Sequence, residues 1–147
     1  GRLDMKMRAT GDVGVDYHHL VEDVGICMGQ ALRQALGDKQ GIARFGSAIV
    51  PMDDALCMAV VDLSGRPYLH FSVPMPCAKV GDFDTELVEE FMRALANHGQ
   101  LTLHVDLLHG SNTHHVIEAA FKALALALRQ AVAVDAAQCV PSTKGVL

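Results

Sequence analysis

The feature that most constrains this chain is an internal repeat, in which the sequence matches itself at an offset of 96 residues. The segment DYHHLVED, residues 16–23, aligns with NTHHVIEA, residues 112–119, and ALRQA at 31–35 aligns with ALRQA at 127–131. No gap is needed, and chance agreement at two histidines, a glutamate and a pentapeptide is improbable. Because the offset far exceeds the roughly 20–45 residues of a solenoid repeat, it predicts two copies of a half-domain that face each other.

Each copy has the same predicted order of a strand, a polar turn and a long helix. Apolar residues alternate over 3–9 and over 101–107, as is typical of strands. A helix begins near each histidine pair, and the first helix ends near Gly37, a residue favoured just past a helix end. In the second helix one apolar face is predicted by the spacing of Ile117, Phe121, Leu124, Leu128 and Val132.

The sequence between these helices predicts three short strands, within 42–51, 55–65 and 66–75, and a helix at 85–99. The helix at 85–99 leads directly into the strand of the second copy, whereas only Gly1 and Arg2 precede the corresponding strand of the first copy. We therefore expect the first copy to lack its leading strand and helix. Since the sequence starts with glycine, we also expect an N-terminally truncated or processed product.

Composition limits the class of protein. The chain has 147 residues, half of them apolar and a fifth charged, which is typical of one soluble globular domain. Its net charge of −5 argues against nucleic acids and anionic membranes as partners. No apolar run approaches the roughly 18 residues of a membrane-spanning helix, and there is no signal peptide, so we expect a cytoplasmic protein. The four cysteines form no C-x-x-C pair and indicate no site.

The histidine pairs have a spacing that suits metal binding. On a helix, residues i and i+4 share one face, whereas residue i+1 points about 100° away. His18 and Glu22 can therefore bind one ion while His19 is directed toward another, and the second copy repeats this geometry. If a pseudo-twofold axis relates the copies, His18, Glu22 and His115 would bind one metal, and His114, Glu118 and His19 the other. His104, on the strand before the second helix, could complete the second site.

Ligand chemistry leaves the metal and the function open. Imidazoles with a carboxylate suit manganese, iron, zinc or nickel. The motif H-H-x-x-E matches neither H-E-x-x-H nor H-x-x-E-H, so no metalloprotease signature is present. One alternative is a non-catalytic metal-binding oligomer in which the histidines crosslink subunits, and another is a metal-dependent hydrolase. The remaining histidines, His70, His98 and His109, are interpreted as strand or helix-end residues outside the site.

Several longer segments carry a family resemblance. They are GDVGVDYHHLVEDVGICMGQAL, GSAIVPMDDAL, DLSGRPYL, VGDFDTELVEEFMRALA, LTLHVDLLHGSNTHHVIEAAFKALA and the terminal VPSTKGVL. Together they resemble the imidazoleglycerol-phosphate dehydratase family of histidine biosynthesis, from Leu3 to Leu147. The resemblance implies a metal-dependent hydro-lyase that converts D-erythro-imidazole glycerol 3-phosphate to imidazole acetol phosphate, with two manganese ions per active site.

The resemblance also implies roles for individual residues. The implied metal ligands are His18, His19, Glu22, His104, His114, His115 and Glu118. The implied phosphate-binding residues are Arg44, Arg66, Lys122, Ser142 and Lys144, which makes chemical sense because a dianionic phosphate needs convergent cations and hydroxyl groups. Glu118 and Glu22 are the candidates for moving protons during the reaction.

The fold implied by the resemblance is α+β, a single domain over 1–147 with one repeat at about 1–75 and the other at about 76–147. Each half would be a four-stranded sheet with helices on one face, and the first half would lack its N-terminal strand and helix. The implied assembly is a trimer that metal joins into a 24-mer, with active sites shared between subunits. Members of the family carry a further histidine and a glutamate in an N-terminal segment that this sequence lacks. We therefore expect reduced activity and incomplete metal binding.

Overall fold

The computed structural model describes residues 1–134 and 140–143, and within them the fold is mixed α+β, which confirms the predicted class. The helices of this part of the chain are α1 (His18–Leu36), α2 (Leu87–Gly99) and α3 (Thr113–Ala131). Its strands are β1 (Phe45–Met52), β2 (Ala55–Asp62), β3 (Tyr68–Ser72), β4 (Lys79–Val80), β5 (Phe83–Asp84) and β6 (Thr102–His109). None of these helices is both long and apolar enough to cross a membrane.

Four strands form one sheet in the order β1-β2-β6-β3, and β4 pairs with β5 in a small separate hairpin. The pairs β1–β2 and β2–β6 are antiparallel, while β3 and β6 are parallel. Alternate residues of β2 are completely buried beneath the helices, and the others face the half-exposed opposite side. The predicted boundary between repeats at about residue 75 stays a prediction; β3, before it, pairs with β6, after it.

The two helices of the repeat correspond closely. Both α1 and α3 have 19 residues, and both begin at their histidine pair. Gly37 ends α1 with φ +52, as its position in the sequence predicted. On α3 the predicted Leu124 and Leu128 are buried, but most of the deeply buried positions are alanines, because the helix lies very close to the sheet.

The predicted strand at residues 3–9 is wrong, since this segment has no regular secondary structure and is exposed. Its counterpart in the second copy, β6, is a strand because it exchanges hydrogen bonds with β2 on one side and β3 on the other. Under the offset of 96 residues, the equivalents of β2 and β3 would fall before residue 1. An alternating sequence without pairing partners leaves its backbone unpaired, and the described residues consequently contain one four-stranded sheet, not two.

Small residues set the distance between the layers. A Cβ atom placed on Gly46 of β1 would lie 1.9 Å from the carbonyl oxygen of Ala127 in α3. A Cβ atom on Gly29 of α1 would lie 2.6 Å from the backbone nitrogen of Gly99 at the end of α2. Both positions therefore require glycine for steric reasons.

We predict that Gly46→Ala destabilises the fold by about 1–3 kcal/mol, because α3 must move away from β1 to admit the methyl group. Chemical denaturation of the purified variant, followed by circular dichroism, would measure the loss. Gly14→Ala is the matched control, since nothing lies within 4 Å of its Cβ position. Equal denaturation midpoints for the two variants would contradict the steric argument.

Candidate active site

The start of α3 presents the second histidine pair. The side chain of Asn112 accepts a hydrogen bond from the backbone N–H of His115, so the helix begins at the motif itself. His114 Nε2 lies 3.5 Å from Glu118 Oε2, four residues on, and both side chains are partly exposed. These two predicted ligands therefore share one face of the helix.

His115 is directed toward the turn between β1 and β2. Its Nδ1 lies 2.6 Å from Asp54 Oδ1, and its Nε2 lies 3.4 Å from Asp53 Oδ2. The ring of His115 is inclined by 70° to that of His114, with 6.1 Å between their centroids. The adjacent histidines thus offer their nitrogen atoms in different directions, as consecutive helical positions should.

The first histidine pair, at the start of α1, has a similar but more exposed setting. The backbone N–H of His18 donates to Asp16 Oδ1 over 2.8 Å, and His19 Nδ1 lies 3.4 Å from Asp12 Oδ2. The rings of His18 and His19 are 6.1 Å apart and nearly perpendicular. Across residues 1–134 and 140–143, no group of three His, Cys, Asp or Glu side chains is arranged to hold a metal ion. The crossed pattern of ligands from both pairs therefore stays a prediction.

His104 lies on β6, but on the sheet face opposite to α3. Its neighbours Leu103 and Val105 are completely buried on the helix side, so His104 points the other way. There the centroid of its ring lies 5.5 Å from that of Tyr68 and 5.3 Å from that of His70. Its role as a ligand of the second site stays a prediction, and in this chain His104 belongs to an aromatic cluster on the open face of the sheet.

Lys122, on α3, forms an ion pair with Glu118, the carboxylate of the second histidine motif. Its Nζ lies 2.8 Å from Glu118 Oε1 and also contacts Met52 Sδ at 3.2 Å, next to the β1–β2 turn. The hydrogen bond from Lys122 holds the pKa of Glu118 below its ordinary value. Glu118 is therefore an ionised carboxylate near neutral pH, as a proton acceptor must be.

Arg44 is held at the other end of β1. Its Nε donates to Asp62 Oδ1 over 2.7 Å, its Nη2 to Asp62 Oδ2 over 3.2 Å, and its Nη1 to the carbonyl oxygen of Pro141 over 2.9 Å. The contact with Pro141 brings Ser142, another predicted phosphate-binding residue, to the same end of the sheet. Arg66 is exposed in the turn after β2, and Lys144 lies outside the described residues.

The predicted site residues are consequently divided between two ends of the sheet. Arg44 directly precedes the eight residues of β1, whereas the turn that contacts His115 directly follows them. At about 3.3 Å per residue, the strand separates these ends by about 25 Å. Lys122 belongs to the histidine end, and Arg44 with Ser142 to the opposite one. Lys122 and Arg44, two of the predicted phosphate-binding residues, therefore do not meet within one chain.

Four further residues, which the sequence did not indicate, contact the predicted site residues. Asp53 and Asp54 flank His115, Asp62 binds Arg44, and Lys39 is buried beside this ion pair, with its Nζ donating to Leu63 O over 3.0 Å. Burial lowers the pKa of Lys39. The only sequence signal was the pair of aspartates between two predicted strands, and such residues are also the ordinary residues of turns.

Known proteins resemble this chain over most of its length. The sequence model of the imidazoleglycerol-phosphate dehydratase family matches residues 1–128. The imidazoleglycerol-phosphate dehydratase of Desulforudis audaxviator is 65% identical over 145 residues, covering 99% of this chain and 74% of that protein. The corresponding protein of Roseobacter denitrificans is 60% identical over 147 residues, covering 99% of this chain and 75% of the relative.

Two solved structures share the fold. The dehydratase of Staphylococcus aureus superposes with a TM-score of 0.81 and 50% identity, over 86% of this chain and 72% of that one. The enzyme of Pyrococcus furiosus, solved in complex with (S)-C348, has a TM-score of 0.81 and 47% identity, over 94% of this chain and 74% of that one. These likenesses define the class of protein, a dehydratase and thus a hydro-lyase, acting in histidine biosynthesis. The chain belongs to the imidazoleglycerol-phosphate dehydratase family, and the resemblance found in its sequence is confirmed.

We predict that Lys122→Met raises the pKa of Glu118 toward its ordinary value, because the substitution removes the cation that stabilises the carboxylate. The pKa would be read from a titration of the Glu118 carboxyl carbon by nuclear magnetic resonance. Lys79→Met is the control, since Lys79 pairs with Asp84 in the small β4–β5 hairpin. A pKa of Glu118 that does not change in the Lys122 variant would show that Lys122 is not the group that lowers it.

Proposed function

We propose that this chain removes water from D-erythro-imidazole glycerol 3-phosphate to give imidazole acetol phosphate, with Mn²⁺ as its cofactor. The observation that carries the proposal is the repeated histidine pair and glutamate at the starts of α1 and α3, in a chain of this family. Other divalent ions could replace manganese, because imidazole and carboxylate ligands suit several of them.

The side chains present fit such an ion in type and in part of their geometry. His114 and Glu118 place an imidazole nitrogen and a carboxylate oxygen 3.5 Å apart on one helix face. His115, beside them, offers its own ring in another direction. When bound, the two ions of a site would act as Lewis acids that favour the imidazolate form of the substrate ring.

The reaction also needs groups that move protons. One carbon loses a proton, and the hydroxyl on the neighbouring carbon next to the imidazole departs as water, which leaves an enol. The ketone of the product forms when the enol loses its hydroxyl proton and gains a proton on carbon, so one group must accept protons and another must supply them. We assign the acceptor role to Glu118, because it lies beside His114 on the helix face that presents the second histidine pair and is ionised near neutral pH. Glu22, in the equivalent position of α1, is the other carboxylate of the pair.

We propose that Arg44, Arg66, Lys122, Ser142 and Lys144 bind the substrate phosphate and that different copies of the chain supply them. The separation of about 25 Å between the two ends of β1 supports this, since an imidazole and a phosphate joined by three carbons cannot span it. An active site shared between copies would join Arg44 of one copy to Lys122 of another. The expected assembly is a trimer and, with metal, a 24-mer.

Turnover of the purified chain with Mn²⁺ tests the activity, with imidazole acetol phosphate detected by mass spectrometry. Glu118→Gln is expected to lower kcat by roughly 10²–10⁴-fold, the usual contribution of a general acid or base. Glu86→Gln, an exposed residue at the start of α2, serves as the control. Unchanged kcat in the Glu118 variant would exclude it as the proton acceptor.

The same assay tests our expectation that these 147 residues alone react slowly. The matched relatives extend beyond the region that this chain covers, which is 74% of one and 75% of another. A rate equal to that of a full-length relative under the same conditions would contradict this expectation.

A non-catalytic metal-binding oligomer is the second candidate. It is favoured by the finding that, within the described residues, no three ligands converge in one chain, so that metal would crosslink copies. Both candidates predict that removing Mn²⁺ with a chelator lowers the mass measured by light scattering. Only the enzyme predicts that Arg66→Ala lowers turnover of the phosphorylated substrate while leaving that mass unchanged.

A further inference from the structure

Asp54, in the turn between β1 and β2, links three parts of the chain through one carboxylate. Its Oδ2 accepts hydrogen bonds from the backbone N–H of Ser111, over 2.7 Å, from the hydroxyl of Ser111, over 3.0 Å, and from the backbone N–H of Asn112, over 3.1 Å. Its Oδ1 lies 2.6 Å from Nδ1 of His115. The carboxylate thus ties the hairpin to the loop before α3 and to the second histidine pair.

The donors around Asp54 determine which ring nitrogen of His115 carries hydrogen. An ionised carboxylate can only accept hydrogen bonds, so Nδ1 of His115 must be the donor, and a neutral ring then has its lone pair on Nε2. The hydrogen bonds from His115, Ser111 and Asn112 also hold the pKa of Asp54 well below its usual range. Three donors on Oδ2 alone favour the ionised form of this carboxylate.

Asp53, the neighbouring aspartate, is much less constrained. It lies 3.4 Å from Nε2 of His115, and its side chain is 69% exposed, compared with 40% for Asp54 and 24% for His115. The hydrogen bond of the His115 ring is therefore the one from Nδ1 to Asp54, whereas Nε2 has only a longer contact with a more exposed carboxylate.

We propose that Asp54 is a positioning residue, which fixes the Nδ1–H tautomer of His115 and directs the lone pair of Nε2 outward for a divalent cation. The assignment of a cation to Nε2 rests on the proposed function; the tautomer rests on the contacts of Asp54 alone. A carboxylate that orients a metal-binding histidine in this way usually contributes about 10–100-fold to metal affinity.

In the first repeat an aspartate also faces Nδ1 of the second histidine, but this aspartate does not correspond to Asp54 in the repeat. His19, the equivalent of His115, has its Nδ1 3.4 Å from Asp12 Oδ2. Asp12 precedes its helix, whereas Asp54 comes from a hairpin 61 residues before His115. Two unrelated aspartates thus face the same ring nitrogen in the two copies, which supports a role in orienting the ring.

The Asp54→Asn variant gives a specific test. Asparagine has only one side-chain oxygen. That oxygen can accept hydrogen bonds either from the backbone N–H groups of Ser111 and Asn112 or from the ring of His115, and the amide nitrogen then faces the other partner. Since the two backbone donors outnumber the ring, the amide nitrogen should face Nδ1, and His115 should change to the Nε2–H tautomer. Long-range ¹H–¹⁵N spectra of the metal-free chain would report the tautomer directly.

We expect Nδ1–H in the unmodified chain and Nε2–H in Asp54→Asn, with return to Nδ1–H in Asp54→Glu. Asp53→Asn is the matched control, because it removes the same charge next to the other ring nitrogen and should leave Nδ1–H in place. An Nε2–H ring in the unmodified chain, or no change in Asp54→Asn, would overturn the proposal.

Binding of Mn²⁺ alone, measured by electron paramagnetic resonance, provides the second measurement. Asp54→Asn should weaken it by roughly 10–100-fold, whereas Ser111→Ala, which removes only one hydrogen bond to Asp54, should weaken it much less. Equal losses in the two variants would indicate a structural role only and would overturn the assignment. If the unmodified chain binds no Mn²⁺ but its tautomers behave as expected, the proposed metal function fails while the role of Asp54 in orienting the ring is supported.

Discussion

The close packing of α3 against β1 and β2 determines where the chemical groups of this protein lie. Alanines on the helix, opposite Gly46 of β1, allow the two backbones to approach without intervening side chains. This contact brings the start of α3 to the β1–β2 turn, since the strand and the helix lie against each other along their length. The contacts of His115 with Asp53 and Asp54 follow from it, as does the contact of Lys122 with Met52.

The charged groups at the two ends of β1 lie far apart in one copy of the chain. One end of the strand holds Arg44 paired with Asp62, and the other holds the aspartates, His115 and Glu118. Asp62 and Pro141 hold the guanidinium of Arg44 through hydrogen bonds. Such prior ordering reduces the entropy lost when an anion binds. In the proposed shared site, a second copy would bring its histidine end close to this arginine.

The elements predicted from the sequence are those whose signals are local or repeated. The starts of α1 and α3 were correctly predicted from the histidine pairs, the end of α1 from Gly37, and β1, β2 and β3 from short apolar runs between turn residues. The strand at 3–9 was wrongly predicted because alternation shows only that a segment can form a strand, and hydrogen-bonding partners decide whether it does.

The site was less predictable than the fold, for a related reason. The helical spacing of His114 and Glu118 correctly places them on one face, since that geometry depends on four residues only. The link between Asp54 and His115 spans 61 residues, and the contact of Arg44 with Pro141 spans 97. Contacts over such distances arise from the arrangement of strands and helices in space, which spacing along the sequence does not encode.

The two histidine pairs share the spacing of their side chains but differ in the source of the aspartate that faces the second ring. Each copy has two histidines and a glutamate at the same spacing, because the helix must present these groups in a fixed geometry. The aspartate that faces Nδ1 of the second histidine comes from the preceding loop in one copy and from a distant hairpin in the other. A group that only orients a ring can approach from any element that places an oxygen near Nδ1. The requirement therefore acts on the position of the carboxylate and leaves its place in the sequence free to differ between the copies.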